Sequence, residues 1–234
     1  MFKAYMLAPV SPEKHRACQD YVLLDPSQTV RADPDPASRF SRYAHHSPLT
    51  ADQAAPRHHL YRRRPEFALI SEHGDIGGGR DRGKAPVPAE FLDGTPLCFG
   101  MDESEIFAGP GGGLYHVFDF LKRRADVSEG SFFAELAGEA DLLSRDADFR
   151  RAALRCCHNR VDRGGSAHAS DGESGDAADR DYDAIIDIWT DSLDALARFH
   201  PDMRTRQSFY VDQRASFSII ATEHVVIERP LAAV

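Results

Sequence analysis

From residue 114 onward the chain alternates two apolar patterns in an order that few folds accommodate. Leu114 to Leu121 (LYHVFDFL) is rich in aromatic and β-branched residues and reads as a strand. Ser128 stands where an N-cap would, and Phe132, Phe133, Leu136, Ala140 and Leu143 recur at helical spacing, which predicts a helix over 129–143. Further strands are expected over 151–161, 181–189 (DYDAIIDIW) and 216–228 (SFSIIATEHVVIE), with a short helix carrying Leu193, Leu196 and Phe199. Strand, helix, strand, strand, helix, strand is the order of a ferredoxin-like antiparallel sheet with both helices on one face. The other face of such a sheet is apolar and needs a cover, most simply a second copy of itself. The predicted fold class is therefore α+β, with two tandem ferredoxin-like halves.

The first half contains short echoes of the second. Arg64 to His73 (RPEFALISEH) is similar to Arg214 to His224 (RASFSIIATEH), and Asp20 to Asp25 to Asp181 to Asp187. On that basis residues 1–95 form a divergent N-terminal half with a His-rich insert. Residues 96–234 form the C-terminal half, with a flexible Gly-, Ser- and Asp-rich loop over 163–180.

The 234 residues carry 28 Lys and Arg against 37 Asp and Glu, a net charge of −9 that argues against a nucleic-acid footprint. No run approaches the ~18 apolar residues of a membrane span, and residues 1–10 read as a strand rather than a signal peptide. Cys18, Cys98 and the adjacent pair Cys156 and Cys157 have neither zinc spacing nor a CxxC pair. They are expected to be reduced and buried, in a cytoplasmic protein that binds no membrane.

The segments YHVFDFLKRRADVSEGSFF, ALRCCHNRV, YDAIIDIWTDSLDALARF and FSIIATEHVVIE, spanning about 114–228, resemble the EthD-like family of the dimeric α+β barrel superfamily. The resemblance implies that the two halves make a dimeric-α+β-barrel-type fold around a mainly apolar cavity. It also implies one of that superfamily's diverse chemistries: cofactor-free monooxygenation, polyketide cyclisation, lactone isomerisation, decarboxylation or haem-dependent catalysis. The family's Trp and His near the end of the first helix are missing from FFAELAGEADLLSRD, whereas His45-His46-Ser47-Pro48 is loosely similar to its "HAP" piece.

Histidine is the main lead among reactive residues, because imidazole can give or take a proton at neutral pH. His45, His46, His59 and His224 are candidate catalytic residues, with Asp119, a strand carboxylate whose burial would raise its pKa. Strand alternation places Tyr115, Val117 and Asp119 on one face and His116, Phe118 and Phe120 on the other. On the last strand it separates Thr222, His224 and Val226 from Glu223, Val225 and Ile227. Arg62 and Arg64 could hold a carboxylate, and Tyr43, Tyr61, Tyr115, His116 and Trp189 an aromatic ring. No HxH or HxxxH pair stands on a regular element with a carboxylate, so no metal site is expected, and no nucleotide or nucleophile-elbow motif implies a cofactor.

The expected function is a cofactor-independent lyase, of decarboxylase or dehydratase type, working by acid/base catalysis on a small aromatic or polyketide-like carboxylic acid. The alternatives are a cofactor-independent monooxygenase of an aromatic substrate and a non-catalytic aromatic-ligand-binding protein. A homodimer is compatible with each.

Overall fold

The computed structural model describes residues 2–24, 40–49, 53, 61–63, 67–75, 89–94, 96–109, 113–162 and 182–228. The predicted loop over 163–180 lies outside them, as do His59 and Arg64.

The first part of the chain forms β1 (Phe2–Pro9), α1 (His15–Leu24), β2 (Phe40–Pro48), the two-residue β3 (Arg62–Arg63), β4 (Phe67–Asp75) and β5 (Leu97–Ala108). The second forms β6 (Tyr115–Leu121), α2 (Glu129–Arg145), α3 (Ala147–Ala152), β7 (Arg155–Val161), β8 (Ala184–Thr190), α4 (Leu193–Ala197), α5 (His200–Gln207) and β9 (Phe217–Glu228).

Ser128 caps α2 as expected, its hydroxyl accepting from Ser131 N at 3.1 Å. The strand expected over 151–161 begins only at Arg155. Asp146 accepts from the backbone N–H groups of Asp148 and Phe149, and this cap starts the extra helix α3 ahead of the strand.

The strands run in the order β2-β4-β1-β5-β7-β8-β6-β9-β3, and β2 also pairs with β9. Apart from β3, which lies parallel to the start of β9, the sheet therefore closes on itself as an antiparallel ring. Each set of four strands has the ferredoxin-like order fourth-first-third-second: β5-β1-β4-β2, then β9-β6-β8-β7. The sets join twice, β5 to β7 and β2 to β9, so one chain builds the whole α+β barrel.

The sequence echoes do not follow this repeat. Phe67–Asp75 is the third strand of its set and Phe217–Glu228 the fourth, while Asp20 lies in α1 and Ala184 in a strand. His73 is thus not the counterpart of His224.

Alternation along the strands sorts side chains between two cores. Inside the barrel pack Tyr5, Leu7, Phe99, Met101, Phe118, Phe120, Ile185, Phe217 and Ile219. Phe120 and Phe217 stack with centroids 4.3 Å apart. Outside it Val117, Leu121, Cys156, Ile186, Ile188 and Ile220 meet Phe132, Leu136 and Leu143 of α2, Leu193 and Leu196 of α4, and Met203 of α5. Cys18, Cys156 and Cys157 are buried and free, as expected of reduced packing residues. Among the described residues no helix is long and apolar enough to cross a membrane.

Candidate functional site

The barrel interior is apolar along most of its length and polar at one end. The polarity follows from single substitutions in otherwise apolar strand faces: Lys3 beside Tyr5 and Leu7, His116 beside Phe118 and Phe120, Asp187 beside Ile185, and Glu223 beyond Ala221. The register brings these residues together. His116 pairs with Trp189 on one side and Ala221 on the other, and His46 pairs with Glu223 across the β2–β9 seam.

His46 Nδ1 and His116 Nδ1 lie 3.3 Å apart, and Glu223 Oε1 lies 4.0 and 3.9 Å from them. Trp189 stacks on His116 at 3.9 Å and donates its Nε1–H to Glu223 Oε1 at 3.3 Å. Both histidines are fully buried. Burial pushes His116 down to about 4 despite the nearby carboxylates, so its imidazole is neutral at physiological pH.

Asp187 stands behind His116, its Oδ1 3.8 Å from His116 Nε2. Its Oδ2 accepts from Lys3 Nζ at 3.1 Å, from Asn159 Nδ2 at 2.9 Å and from the Tyr5 hydroxyl. Burial opposes ionisation of Asp187, yet Lys3, His116 and Tyr5 outweigh it and hold the carboxyl at about 2. Lys3 also meets Glu103 Oε2 at 2.9 Å, and Arg155 reaches the other oxygen of Glu103 at 3.2 Å while lying over the Trp189 ring.

A second candidate lies on the helix side of the sheet. A groove of about 670 Å3 opens between α2 and the segment Arg206–Tyr210, with Val127, Leu142 and Phe209 as apolar walls and Glu139 among its lining residues. Phe209 and Leu142 are 75 % and 58 % exposed, an apolar border of the kind that accompanies ligand sites. Glu139 is buried; its Oε2 accepts from Gln207 Nε2 at 2.9 Å and from the Tyr210 hydroxyl at 2.5 Å. Its Oε1 makes no hydrogen bond, and Arg206 Nε stands 3.6 Å away. Burial raises the Glu139 pKa, against the pull of Tyr210, Gln207 and Arg206. Burial and the Glu139 charge keep Tyr210 a neutral phenol.

The expected site residues do not converge. His46, His116 and Trp189 meet at the polar end of the barrel, whereas His45 is buried on the opposite face of β2 and His224 is exposed. Tyr115 is half-buried against the helix-side core, and Tyr61 is buried within it, its hydroxyl donating to Gln207. Asp119 faces the same side and accepts the Ser218 hydroxyl at 2.6 Å. Tyr43 and Arg62 lie on β2 and β3, but their side chains are outside the described residues, like the whole of His59 and Arg64.

Glu139, Lys3 and Asp187 are not singled out by the sequence, which places Glu223 on a strand face without giving it a role. Glu139 carried a signal: it sits on the buried stripe of α2 with Phe132, Leu136 and Leu143, where a carboxylate is out of place.

Asp119 gives a direct measurement. Burial raises its pKa to about 7, reinforced by Glu139 and Asp187 and opposed by Ser218. The unfolded chain ionises this group near its ordinary value of 3.8. Its contribution to stability is thus complete below about pH 4 and is lost as the pH rises through 7, a change on the order of 4 kcal/mol. Asp119→Asn should be more stable than the parent at pH 7.5 and lose that advantage at pH 4, as read by urea unfolding at both values.

No family model matches the chain, and no curated protein matches it in sequence. Solved structures match it in fold. A candidate monooxygenase from Fusobacterium nucleatum aligns at 6 % identity and a TM-score of 0.51, over 96 % of this chain and 92 % of that one. A candidate chlorite dismutase aligns at 8 % identity and 0.53, over 95 % and 94 %. A heme-binding protein from Thermus thermophilus reaches 10 % and 0.49, over 95 % and 90 %. The fold is that of the dimeric α+β barrels.

These neighbours correct the expectation of a decarboxylase or dehydratase lyase, since they are named for monooxygenase and chlorite dismutase activities. Of the proton carriers expected for that lyase, the described His46 faces into the barrel, whereas His45, Asp119 and His224 face away from it. Haem does not fit the groove: among its described lining residues there is no His, Cys or Met to serve as an axial ligand, and Tyr210 is engaged by Glu139.

Proposed function

We propose that the chain is a monooxygenase of a small aromatic molecule bound in the groove between α2 and Arg206–Tyr210. The observation that carries this reading is Glu139, a buried carboxylate of raised pKa beside a groove of about 670 Å3, a volume suited to a molecule of a few fused rings. In this reading Oε1, the oxygen left over by Tyr210 and Gln207, is shielded beside Arg206 and takes the acidic proton of a phenol- or enol-like substrate once the Arg206 side chain turns aside. Val127, Leu142 and Phe209 cover the rings. Arg206 offsets charge as the substrate anion forms.

That anion can itself react with dioxygen. An activated methylene becomes a carbonyl, one oxygen atom enters it and the other leaves as water, and the substrate supplies all four electrons. The candidate monooxygenase of similar fold supports this chemistry by analogy alone. Membership of the EthD-like family, a cytoplasmic address and a homodimer belong to the same proposal.

The test is oxygen consumption with a panel of anthrone-like and phenolic compounds, with products followed by mass. A gain of one oxygen and loss of two hydrogens, in step with oxygen uptake, is the expected result. Ligand-induced thermal stabilisation with unchanged masses would instead make this a binding protein.

A further inference from the structure

We propose that the polar end of the barrel is a binding site for one divalent first-row transition metal ion, held by His46 Nδ1, His116 Nδ1 and Glu223 Oε1. This goes beyond the groove chemistry and does not depend on it.

Geometry carries the proposal. Separations of 3.3, 3.9 and 4.0 Å put the three atoms on a circle of roughly 2.2 Å radius, close to the ~2.0–2.2 Å of metal–imidazole and metal–carboxylate bonds. The three side chains form a cluster with every ligand atom within 4.8 Å of the others. They come from three neighbouring strands of a closed barrel, so their positions are set by backbone register rather than by loops. An ion at that distance lies close to the plane of the three atoms, and three protein ligands leave further coordination positions for water or another small ligand.

The surroundings match a metal centre too. A ligating histidine commonly donates its other ring N–H to a carboxylate, which fixes the tautomer and makes the ligand more basic. Asp187 occupies that place, with Oδ1 3.8 Å from His116 Nε2. Neither atom makes a hydrogen bond, so a small closing movement would satisfy both. Lys3, Tyr5 and Asn159 hold Asp187 from behind. Trp189 does the same for Glu223, donating to its ligating oxygen. Two imidazoles and one carboxylate suit Fe2+, Co2+ or Zn2+ and discriminate against Mg2+ and Ca2+, which prefer all-oxygen shells. The ion would join β2 of the first set to β6 and β9 of the second, across the seam that closes the barrel.

The experiment uses the full chain, stripped with chelator and titrated with Co2+ in the presence of excess Mg2+, followed by visible absorption and calorimetry. One Co2+ per chain is expected, with a rise in Tm and d–d bands of a mixed N/O site. His46→Gln and Glu223→Gln should each weaken binding by more than a hundred-fold. Asp187→Asn should weaken it by about ten- to a hundred-fold. His224→Ala, next in sequence to Glu223 but exposed, should bind as the parent does. Folding of each variant is checked by circular dichroism. Absence of stoichiometric Co2+ in the parent overturns the proposal. So does binding that survives in folded His46→Gln and Glu223→Gln, or that is lost in His224→Ala.

Discussion

Replacing Glu139 by Gln should lower oxygen consumption by about a hundred-fold or more, the usual contribution of a positioned general base. Gln preserves the shape of the side chain, and its amide oxygen can still accept from Tyr210 and Gln207, which both donate to Oε2 in the parent. What it loses is the ability to take a proton. The loss should therefore appear in kcat, with KM changed by only a few-fold, because the apolar walls at Val127, Leu142 and Phe209 are untouched. A parallel fall in binding, measured with a non-reacting analogue, would place Glu139 in substrate affinity rather than proton transfer. An unchanged rate would remove it from the mechanism.

The largest effect on stability is expected from Lys3→Met. The Lys3 ammonium is buried between Glu103 Oε2 at 2.9 Å and Asp187 Oδ2 at 3.1 Å. Methionine fills a similar volume but leaves two carboxylates facing each other without the cation between them. Breaking a buried ion pair in this way costs about 3–5 kcal/mol, which denaturant unfolding at pH 7 should register as a lower midpoint. The loss has a pH signature. Lys3 is the strongest of the influences holding Asp187 at about 2, and without it the carboxyl protonates at higher pH. The gap between variant and parent should therefore narrow as the pH falls towards 3. Adding Asp187→Asn to Lys3→Met should recover part of the loss, since one of the two opposed charges is gone. A gap that stays constant with pH would mean that lost packing, rather than exposed charge, is responsible.

The second half of the chain was legible because its signals are local. Alternation in YHVFDFL, the Ser128 cap and the apolar stripe of α2 are each read within one element, and the structure places them where those patterns predict. The existence of two ferredoxin-like sets was also foreseen, although the echoes offered for it fell on elements that are not equivalent. The repeat is one of strand order, which a chain can keep while losing every matching residue.

The candidate site was harder to read for a related reason. His46, His116 and Glu223 are separated by scores of residues and meet only through the β2–β9 and β6–β9 registers, which no local pattern encodes. His116 and Glu223 were each assigned to a strand face correctly, yet choosing His224 over Glu223 turned on the inward direction of β9. Phe217, Ile219 and Ala221 settle that direction only once they are seen packing inside the barrel.

The seam between β2 and β9 has a consequence for how the molecule assembles. It pairs Arg42 with Glu228, so the ring cannot close until Phe217–Glu228 has been made. Bringing together strands so distant in sequence is slow, because the loop entropy is lost before the contact is gained. While a nascent chain waits, β2 presents a bare hydrogen-bonding edge to whatever is nearby. A chain cut short before Phe217 lacks the strand that finishes the circle and leaves the edges of both β2 and β6 uncovered, the kind of edge that templates pairing between chains.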